Sequence, residues 1–252
     1  MAAQITDEET VIEVGAGTGL LTGLLAERAR TLIAVEVDEG LATRLSERFA
    51  TDDHVAVLQR DVLAATPEDL LVAGEGRVPY VVVGNLPYFI GTAIIRRFLQ
   101  ATVRPRRLIV TLQAEVAQSI AAQPGRMSYL SVEMQTLASA KVLFYLPPKA
   151  FKPPPKVRSA VVRLDVFEAS DAEVDDREAF LALVRAGFAA PRKRLRNSLA
   201  IGLRVPALDA SAILSEAGVD ADQRPAMLTL PDWQSVYFSY RAHGVKDSGL
   251  EP

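Results

Sequence analysis

The sequence of 252 residues contains no cysteine and only two histidines, His54 and His243. Without cysteine, the chain cannot form disulfide bonds, thiol nucleophiles or thiolate zinc sites. The two imidazoles lie far apart along the chain, which argues against hydrolysis by a catalytic triad or a bound metal, and no metal site is predicted. The composition instead suits chemistry that needs no nucleophile from the protein, such as group transfer from an activated cofactor.

Long hydrophobic runs are also missing, because no apolar stretch approaches the roughly 18 residues of a membrane span. The N-terminal segment MAAQITDEET is acidic and lacks the apolar core of a secretory signal, so we expect a cytoplasmic protein. The net charge of −3 argues against a uniformly basic, nucleic-acid-binding surface but allows local basic patches.

Apolar, strand-like runs alternate with helical patterns in the first half of the chain, which predicts a parallel α/β sheet. These runs cover residues 10–14, 31–37, 54–59, 80–85 and 107–113. Between the first two runs, LLTGLLAERA predicts an amphipathic helix with four leucines on one face. Those leucines are Leu20, Leu21, Leu24 and Leu25.

The pattern changes after residue 138. SAKVLFYL and VRSAVVRLDVF predict two further strands that close the far edge of the sheet, joined by the proline-rich connector, residues 146–156. Helical patterns follow from about residue 168. We therefore predict an α/β domain over residues 1–167, a small helical domain over 168–244 and a mobile tail over 245–252.

Glycines lie between the first strand and the first helix, where a tight turn and a closely approaching ligand need a missing side chain. The spacing of Gly15, Gly17 and Gly19 is closer to the loops that bind S-adenosylmethionine (AdoMet) than to the G-x-G-x-x-G dinucleotide pattern. Glu36 ends the second strand, where it could accept hydrogen bonds from both ribose hydroxyls, and Asp61 could accept one from the adenine amine. The alternatives are a plain tight turn, a solvated Glu36 and a capping or turn role for Asp61.

The tetrapeptide of residues 85–88 follows the fourth strand, at the sheet edge where α/β proteins bind ligands. The Asn85 side-chain oxygen and the Leu86 carbonyl could hold the protons of an exocyclic amine and favour a pyramidal nitrogen, with Asn85 also next to the cofactor. Pro87 would fix the turn, and Tyr88 or Phe89 would stack on an extracted base. The turn is therefore interpreted as an amine-methylation site, the alternative being a purely structural strand-to-helix turn.

In their order and spacing, EVGAGTGLLT, AVEVD, RDVL and GNLPY resemble motifs of the ribosomal RNA adenine N6,N6-dimethyltransferases, the KsgA family. VTLQAEVAQSI, YLSVEMQ, FKPPPKVRSAVVRL and RKRLRNSL extend the resemblance over nearly the whole chain. It implies a Rossmann-like AdoMet-dependent methyltransferase sheet with a C-terminal helical RNA-binding domain. The implied reaction is transfer of two methyls to each of two adjacent adenosines in a hairpin near the 3′ end of small-subunit (16S) ribosomal RNA. The implied partner is the immature 30S subunit, bound by a monomer.

Two departures from the family pattern affect the expected cofactor pocket. Members carry a further segment before the first strand, with a Gln-Asn-Phe-Leu-like motif that covers the AdoMet site, whereas Met1 here stands nine residues before Thr10. We expect either a misassigned or truncated start, or a more open and weaker pocket. The glycine loop has Ala16 where the family usually has proline, and alanine should be tolerated there.

Two other functions remain open from the sequence. Macrolide-resistance methylases act on large-subunit ribosomal RNA through a similar Asn-x-Pro-Tyr motif, although Leu86 and the connector favour the small-subunit family. A ribosome-assembly factor that binds the RNA but methylates weakly is the second alternative.

Two groups of basic residues are the expected RNA contacts. The connector patch consists of Lys149, Lys152, Lys156 and Arg158, and the helical patch of Arg192, Lys193, Arg194 and Arg196. In the helical patch, Arg192 and Arg196 are predicted to share a helical face opposite Leu195 and Leu199. A solvated basic face is the alternative.

Overall fold

The computed structural model describes residues 4–168 and 175–243. Contacts divide the chain into two compact units, the first formed by Met1–Gln118 with Ala138–Phe167 and the second by Ser119–Leu137 with Glu168–Pro252. Residues 119–137, which the sequence-based division placed in the α/β domain, therefore cluster with the C-terminal helices. The reason is that Met127 and Val132 are buried in the core of those helices. The predicted tail, residues 245–252, lies outside the described residues.

The first unit is built on one seven-stranded sheet in the order β3-β2-β1-β4-β5-β7-β6. The strands are β1 Thr10–Val14, β2 Thr31–Glu36, β3 Val55–Gln59, β4 Tyr80–Asn85, β5 Arg107–Gln113, β6 Ala138–Leu146 and β7 Ser159–Val166. The first five strands are parallel, and β7 is antiparallel to both β5 and β6. The predicted Rossmann-like sheet is confirmed, including the late pair of strands at its far edge.

The central parallel strands, β1, β2, β4 and β5, are apolar because this part of the sheet is buried on both faces, as parallel sheets usually are. Every residue of β1 is buried, and β4 is buried from Tyr80 to Gly84. Burial stops at Asn85, where the strand reaches the carboxyl edge of the sheet. The polar end of β4 is therefore presented at this edge by an otherwise apolar strand.

The helices that follow these strands are α1 Leu20–Ala26, α2 Glu39–Arg48, α3 Pro67–Ala73, α4 Gly91–Leu99 and α5 Ala114–Ile120. Asp38 caps α2 by accepting a hydrogen bond from the Leu41 amide at 2.8 Å. The predicted apolar face of α1 is wrong. Leu20 is 78% exposed and Leu24 47%, because this short helix contacts the core through Thr22 and Leu25 instead.

The second unit is helical, with a core of its own. Its helices are α6 Tyr129–Gln135, α7 Arg177–Gly187, α8 Leu195–Leu203, α9 Ala207–Glu216 and α10 Leu230–Ala242. Trp233 and Tyr237 of α10 are fully buried, and the Tyr237 and Phe180 rings form a T-shaped pair at a centroid distance of 5.7 Å. A side chain at Gly187 would overlap the Trp233 ring, so this glycine permits the close packing.

Among the described helices, none alone has the length and apolar composition to cross a membrane. Only α8 taken together with α9, a pair bent by 116°, meets that test.

Candidate active site

The strand register brings the predicted site residues to one edge of the sheet. Val14, the last residue of β1, pairs with Val35 of β2 and with Gly84 of β4. Glu36 pairs with Gln59 at the end of β3. The glycine loop, residues 15–19, therefore lies between the strand that ends in Glu36 and the strand that ends in Asn85.

The glycine loop approaches the end of β4 closely. Gly15 and Gly17 have φ angles of +73° and +56°, a region that residues with side chains rarely adopt. A Cβ atom placed on Gly15 would lie 3.7 Å from the Asn85 carbonyl oxygen. The loop thus leaves its backbone open to a ligand beside Asn85.

The Glu36 carboxylate fixes the glycine loop from the β2 side. Its Oε2 accepts a hydrogen bond from the Gly17 amide at 2.7 Å, and its Oε1 accepts from the Val37 and Asp38 amides at 2.9 and 3.0 Å. A carboxylate has about four acceptor positions. The one left over is on Oε2, so this arrangement suits one ligand hydroxyl rather than the two expected from the sequence.

Asp61 follows β3 in an exposed turn. Its Oδ1 accepts a hydrogen bond from the Leu63 amide at 2.8 Å, which is the turn role considered as the alternative. The turn lies beside Glu36, since the Arg60 amide donates to the Glu36 carbonyl at 3.0 Å. Asp61 therefore lies at the same edge of the sheet as Glu36, with one oxygen committed to the local turn.

Two buried polar groups next to the glycine loop were missed from the sequence. Glu13 in β1 is 1% exposed and Thr22 in α1 is fully buried. Within the described part of the chain, neither Glu13 Oε2 nor Thr22 Oγ1 forms a hydrogen bond of good geometry, although the two groups are close enough to interact. Burial raises the pKa of Glu13 to about 7, partly opposed by the nearby Thr22 hydroxyl and reinforced by the Glu36 charge. In the sequence, the acidic Glu13 between two apolar residues of β1 was the signal that could have identified this buried group.

These groups fit a polar cofactor of the AdoMet type. The glycine backbone leaves space for a ligand, and the Glu36 carboxylate offers an acceptor. The unpaired Glu13 and Thr22 oxygens are groups that polar ligand atoms could satisfy.

The Asn85 turn, residues 85–88, is anchored by Leu86. Leu86 is 2% exposed, and its amide donates to the Thr111 carbonyl at 3.3 Å. Gly84 creates space for it, since a Cβ on Gly84 would lie 2.9 Å from Leu86 Cδ2. Gly91 has a different role, since a Cβ there would lie 2.6 Å from Leu112 Cδ2 of β5. This packing holds the backbone of the turn while Asn85 itself stays exposed.

Tyr88 is held in place by a residue that sequence reasoning did not select. Its hydroxyl lies 2.6 Å from Ser159 Oγ, at the start of β7. Phe89, the other candidate for base stacking, is 87% exposed. Tyr88 is therefore the positioned ring of the pair.

A cavity of about 240 Å³ opens between this turn and the connector. It is lined by Asn85, Leu86, Pro87 and Tyr88 on one side and by Phe151, Pro153 and Pro155 on the other. Phe151 was also missed, although it lies in the connector motif. From the sequence, only basic residues of the connector were expected to contact RNA. Aromatic and proline walls with an amide at one end suit a flat base that carries a polar edge.

A model of the family described as ribosomal RNA adenine dimethylase matches residues 1–235. This chain belongs to that family. A ribosomal RNA small subunit methyltransferase A from Dehalococcoides mccartyi is 37% identical over 240 residues, which are 95% of this chain and 81% of the relative. The family resemblance inferred from the motifs is confirmed, and with it the methyltransferase class.

Two solved structures share the fold of this chain. The 23S rRNA methyltransferase ErmE is similar with a TM-score of 0.74 and 28% identity, over 94% of this chain and 93% of that one. A dimethyladenosine transferase from Plasmodium falciparum has a TM-score of 0.81 at 20% identity, over 96% and 94% of the two chains. At that identity the second likeness supports the fold alone.

In this member of the dimethylase family, the connector patch presents its charges to solvent. Lys149, Lys152, Lys156 and Arg158 are all exposed. The Arg158 guanidinium lies 5.5 Å from the centroid of the Tyr145 ring, a cation–π contact.

The helical patch differs from its prediction. Helix α8 begins at Leu195, so Arg192 precedes the helix and does not share a helical face with Arg196. Leu195 and Leu199 are both buried, as expected. The early start of the basic run had suggested a longer helix than the one that forms.

Asp222 neutralises part of the positive charge of the helical patch. Asp222 Oδ1 lies 2.7 Å from Arg196 and 3.2 Å from Arg194. The first amides of α8 are also engaged, since Leu195 donates to the Gln223 carbonyl at 2.7 Å. Arg192 and Lys193 are exposed and are left as the more available charges.

Proposed function

We propose that the protein transfers methyl groups from AdoMet to the N6 amines of two adjacent adenosines in a hairpin near the 3′ end of small-subunit ribosomal RNA. The observation that carries the proposal is the junction of two sites at one sheet edge. The glycine loop, which suits a cofactor, lies next to Asn85. A Cβ atom placed on Gly15 would lie 3.7 Å from the Asn85 carbonyl oxygen. Asn85 also lines the cavity that suits a base.

The cofactor residues in this proposal are Gly15, Gly17, Glu36, Asp61 and Asn85. The loop backbone and the Glu36 carboxylate orient the ligand, and the buried Glu13 and Thr22 oxygens pair with its polar atoms. AdoMet supplies a methyl already activated on a sulfonium, so the protein contributes position and electrostatics rather than a nucleophile.

The catalytic residues are Asn85, Leu86, Pro87 and Tyr88. The Asn85 side-chain oxygen and the Leu86 carbonyl accept hydrogen bonds from the N6 protons, which draws the lone pair of the amine out of the ring. Because Leu86 is buried and tied to Thr111, its carbonyl keeps a fixed place. The nitrogen becomes positively charged as it gains the methyl. Because Asn85 is exposed, the proton that the nitrogen then loses is released to water, while the Asn85 amide oxygen acts only as a hydrogen-bond acceptor.

Stacking holds the base during this step. The Tyr88 ring is fixed through Ser159, and Phe151 faces the same cavity. Stacking of a base on an aromatic side chain contributes roughly 1 to 3 kcal/mol. These rings therefore favour a base extracted from the RNA over one that remains stacked within the RNA.

Both basic patches bind phosphates in this proposal, but not equally. The connector patch, Lys149, Lys152, Lys156 and Arg158, lies next to the cavity and is exposed. In the helical patch, Arg192 and Lys193 contribute more than Arg196, because Asp222 already pairs with that arginine. Reversing the charges of Arg192 and Lys193 should weaken subunit binding and flatten its salt dependence, whereas reversing Arg196 should do less.

The partner is the immature small ribosomal subunit, and the protein acts on it as a monomer in the cytoplasm. The name of the Dehalococcoides relative supports the small subunit, at 37% identity against 28% for the 23S enzyme. Purified protein should methylate small subunits that lack the modification, and mapping should place N6,N6-dimethyladenosine at an adjacent pair. Equal or greater transfer to large subunits would favour the macrolide-resistance reaction. Binding to small subunits without transfer would favour an assembly factor.

A further inference from the structure

A second cavity lies beside the catalytic one. It has a volume of about 310 Å³ and is lined by Gln113, Ala114, Glu115, Gln118, Val157 and Arg158. We propose that it holds the nucleobase next to the adenosine being methylated, an inference that rests on the proposed function.

The two cavities are joined through Ser159. Ser159 contacts the Tyr88 hydroxyl of the catalytic cavity and pairs in the sheet with Gln113 of the second one. Arg158, the preceding residue, accepts a hydrogen bond from the Ala114 amide at 3.0 Å. One chain segment therefore lines both cavities. Phe151, Pro153 and Pro155 line the first, and Val157 and Arg158 line the second. Because the same segment borders both cavities, we expect an RNA strand with one base in the first cavity to place the neighbouring base at the second.

The side chains of the second cavity offer a flat surface and polar edges. The Arg158 guanidinium lies over the Tyr145 ring, and the Tyr145 hydroxyl accepts a hydrogen bond from Gln118 Nε2 at 3.1 Å. A guanidinium oriented in this way is a planar platform on which a base can stack. The 44% exposed Val157 adds an apolar wall.

The charges at this cavity favour a base over a phosphate, so Arg158 contacts the base here, while Lys149, Lys152 and Lys156 of the connector patch contact phosphates. The Glu115 carboxylate shares the cavity with the arginine and would repel a phosphate group. It can instead accept a hydrogen bond from an exocyclic amine, as can the Gln118 amide oxygen. An adenine meets these requirements with its N6 amine and its flat face. The second adenosine of the proposed pair is such a base, so the cavity holds it while the first is modified.

The test is a double-mutant cycle that combines substitutions in the protein with a base replacement in the RNA. Parent, Gln118→Ala and Arg158→Lys are compared on small subunits with the native adenosine pair and on subunits whose neighbouring adenosine is replaced by uridine. Single-turnover methyl transfer and equilibrium subunit binding are both measured for each combination. Gln100→Ala is the control, because Gln100 is an exposed residue at the end of α4, away from the carboxyl edge.

Each variant should lose roughly 10-fold in transfer or binding on native subunits, the size of a lost stacking or hydrogen-bond contact. The parent should lose a similar factor on uridine subunits, and the variants should lose little more there, because the contact is already gone. Losses that multiply, or variants that match Gln100→Ala on both subunits, would overturn the inference. If the parent binds but transfers no methyl, the proposed function fails, while coupling in the binding data still decides the role of the cavity.

Discussion

The two sides of the carboxyl edge hold their polar groups in different ways. On the cofactor side, the Glu36 carboxylate accepts hydrogen bonds from three backbone amides and Glu13 lies fully inside the fold. On the catalytic side, Asn85 is exposed and depends on its neighbours, chiefly the buried Leu86, for its position.

This difference separates binding from reaction. The cofactor side is organised before a ligand arrives, which lowers the entropic cost of binding. In the proposed reaction, the catalytic side keeps its amide accessible to a base that enters from the RNA, and only the backbone around that amide is fixed. Substitutions on the first side should therefore change stability and cofactor affinity, and those on the second side should change the rate.

The largest stability effect should come from Glu13, on the cofactor side. Its pKa is raised from 4.5 to about 7, so the proton stabilises the fold below pH 4.5 and this contribution is lost as the pH rises through about 7. The full difference corresponds to roughly 3 kcal/mol. Glu13→Gln should gain about 2 to 3 kcal/mol relative to the parent between pH 5 and pH 8, measured by urea unfolding without cofactor. A pH-independent difference would show that Glu13 is not strained by burial.

Cofactor affinity should depend next on Glu36. Lost hydrogen bonds to a charged group typically cost about 1.5 to 3 kcal/mol, so Glu36→Ala should weaken AdoMet roughly 10- to 100-fold in a calorimetric titration. Asp61→Ala is the matched comparison and should have the smaller effect, because Asp61 Oδ1 already serves a turn. Unchanged affinity in a folded Glu36→Ala protein would remove Glu36 from the site.

A smaller effect is expected where Tyr88 is positioned. Tyr88→Phe keeps the ring but removes the contact with Ser159, and a net hydrogen bond contributes about 1 kcal/mol. Single-turnover methylation should slow by roughly 5-fold for Tyr88→Phe and for Ser159→Ala, and the double variant should be no slower than either. Additive losses would mean that the two hydroxyls act separately.

The sheet could be predicted from the sequence because its central strands are short apolar runs buried on both faces. The side-chain contacts that position the site residues or neutralise the basic ones could not be predicted, since they join residues distant in sequence. Tyr88 and Ser159 are 71 positions apart, and Arg194 meets Asp222 across 28 positions. Local charge alone made the helical patch resemble a free basic face.

Helix patterns were the least reliable guide at the site. The leucines at 20 and 24 fit an apolar stripe, yet both are exposed, since periodicity does not show which face meets the core. The polar motifs fared better in one respect. Glycine loop, Glu36, Asp61 and Asn85 all reach one edge because parallel strands align their carboxyl ends there.

The most direct test of the account is single-turnover transfer of labelled methyl by Asn85→Ala, with AdoMet and subunit binding measured beside it. A group that acts mainly in the transition state lowers the rate when removed but leaves ground-state binding nearly intact. By analogy with lost oxyanion donors, we expect transfer on the order of 100- to 1000-fold slower than for the parent, with both binding curves nearly unchanged. Transfer at the parent rate would contradict the catalytic role of Asn85 and the assignment of the Asn85 turn as the methylation site.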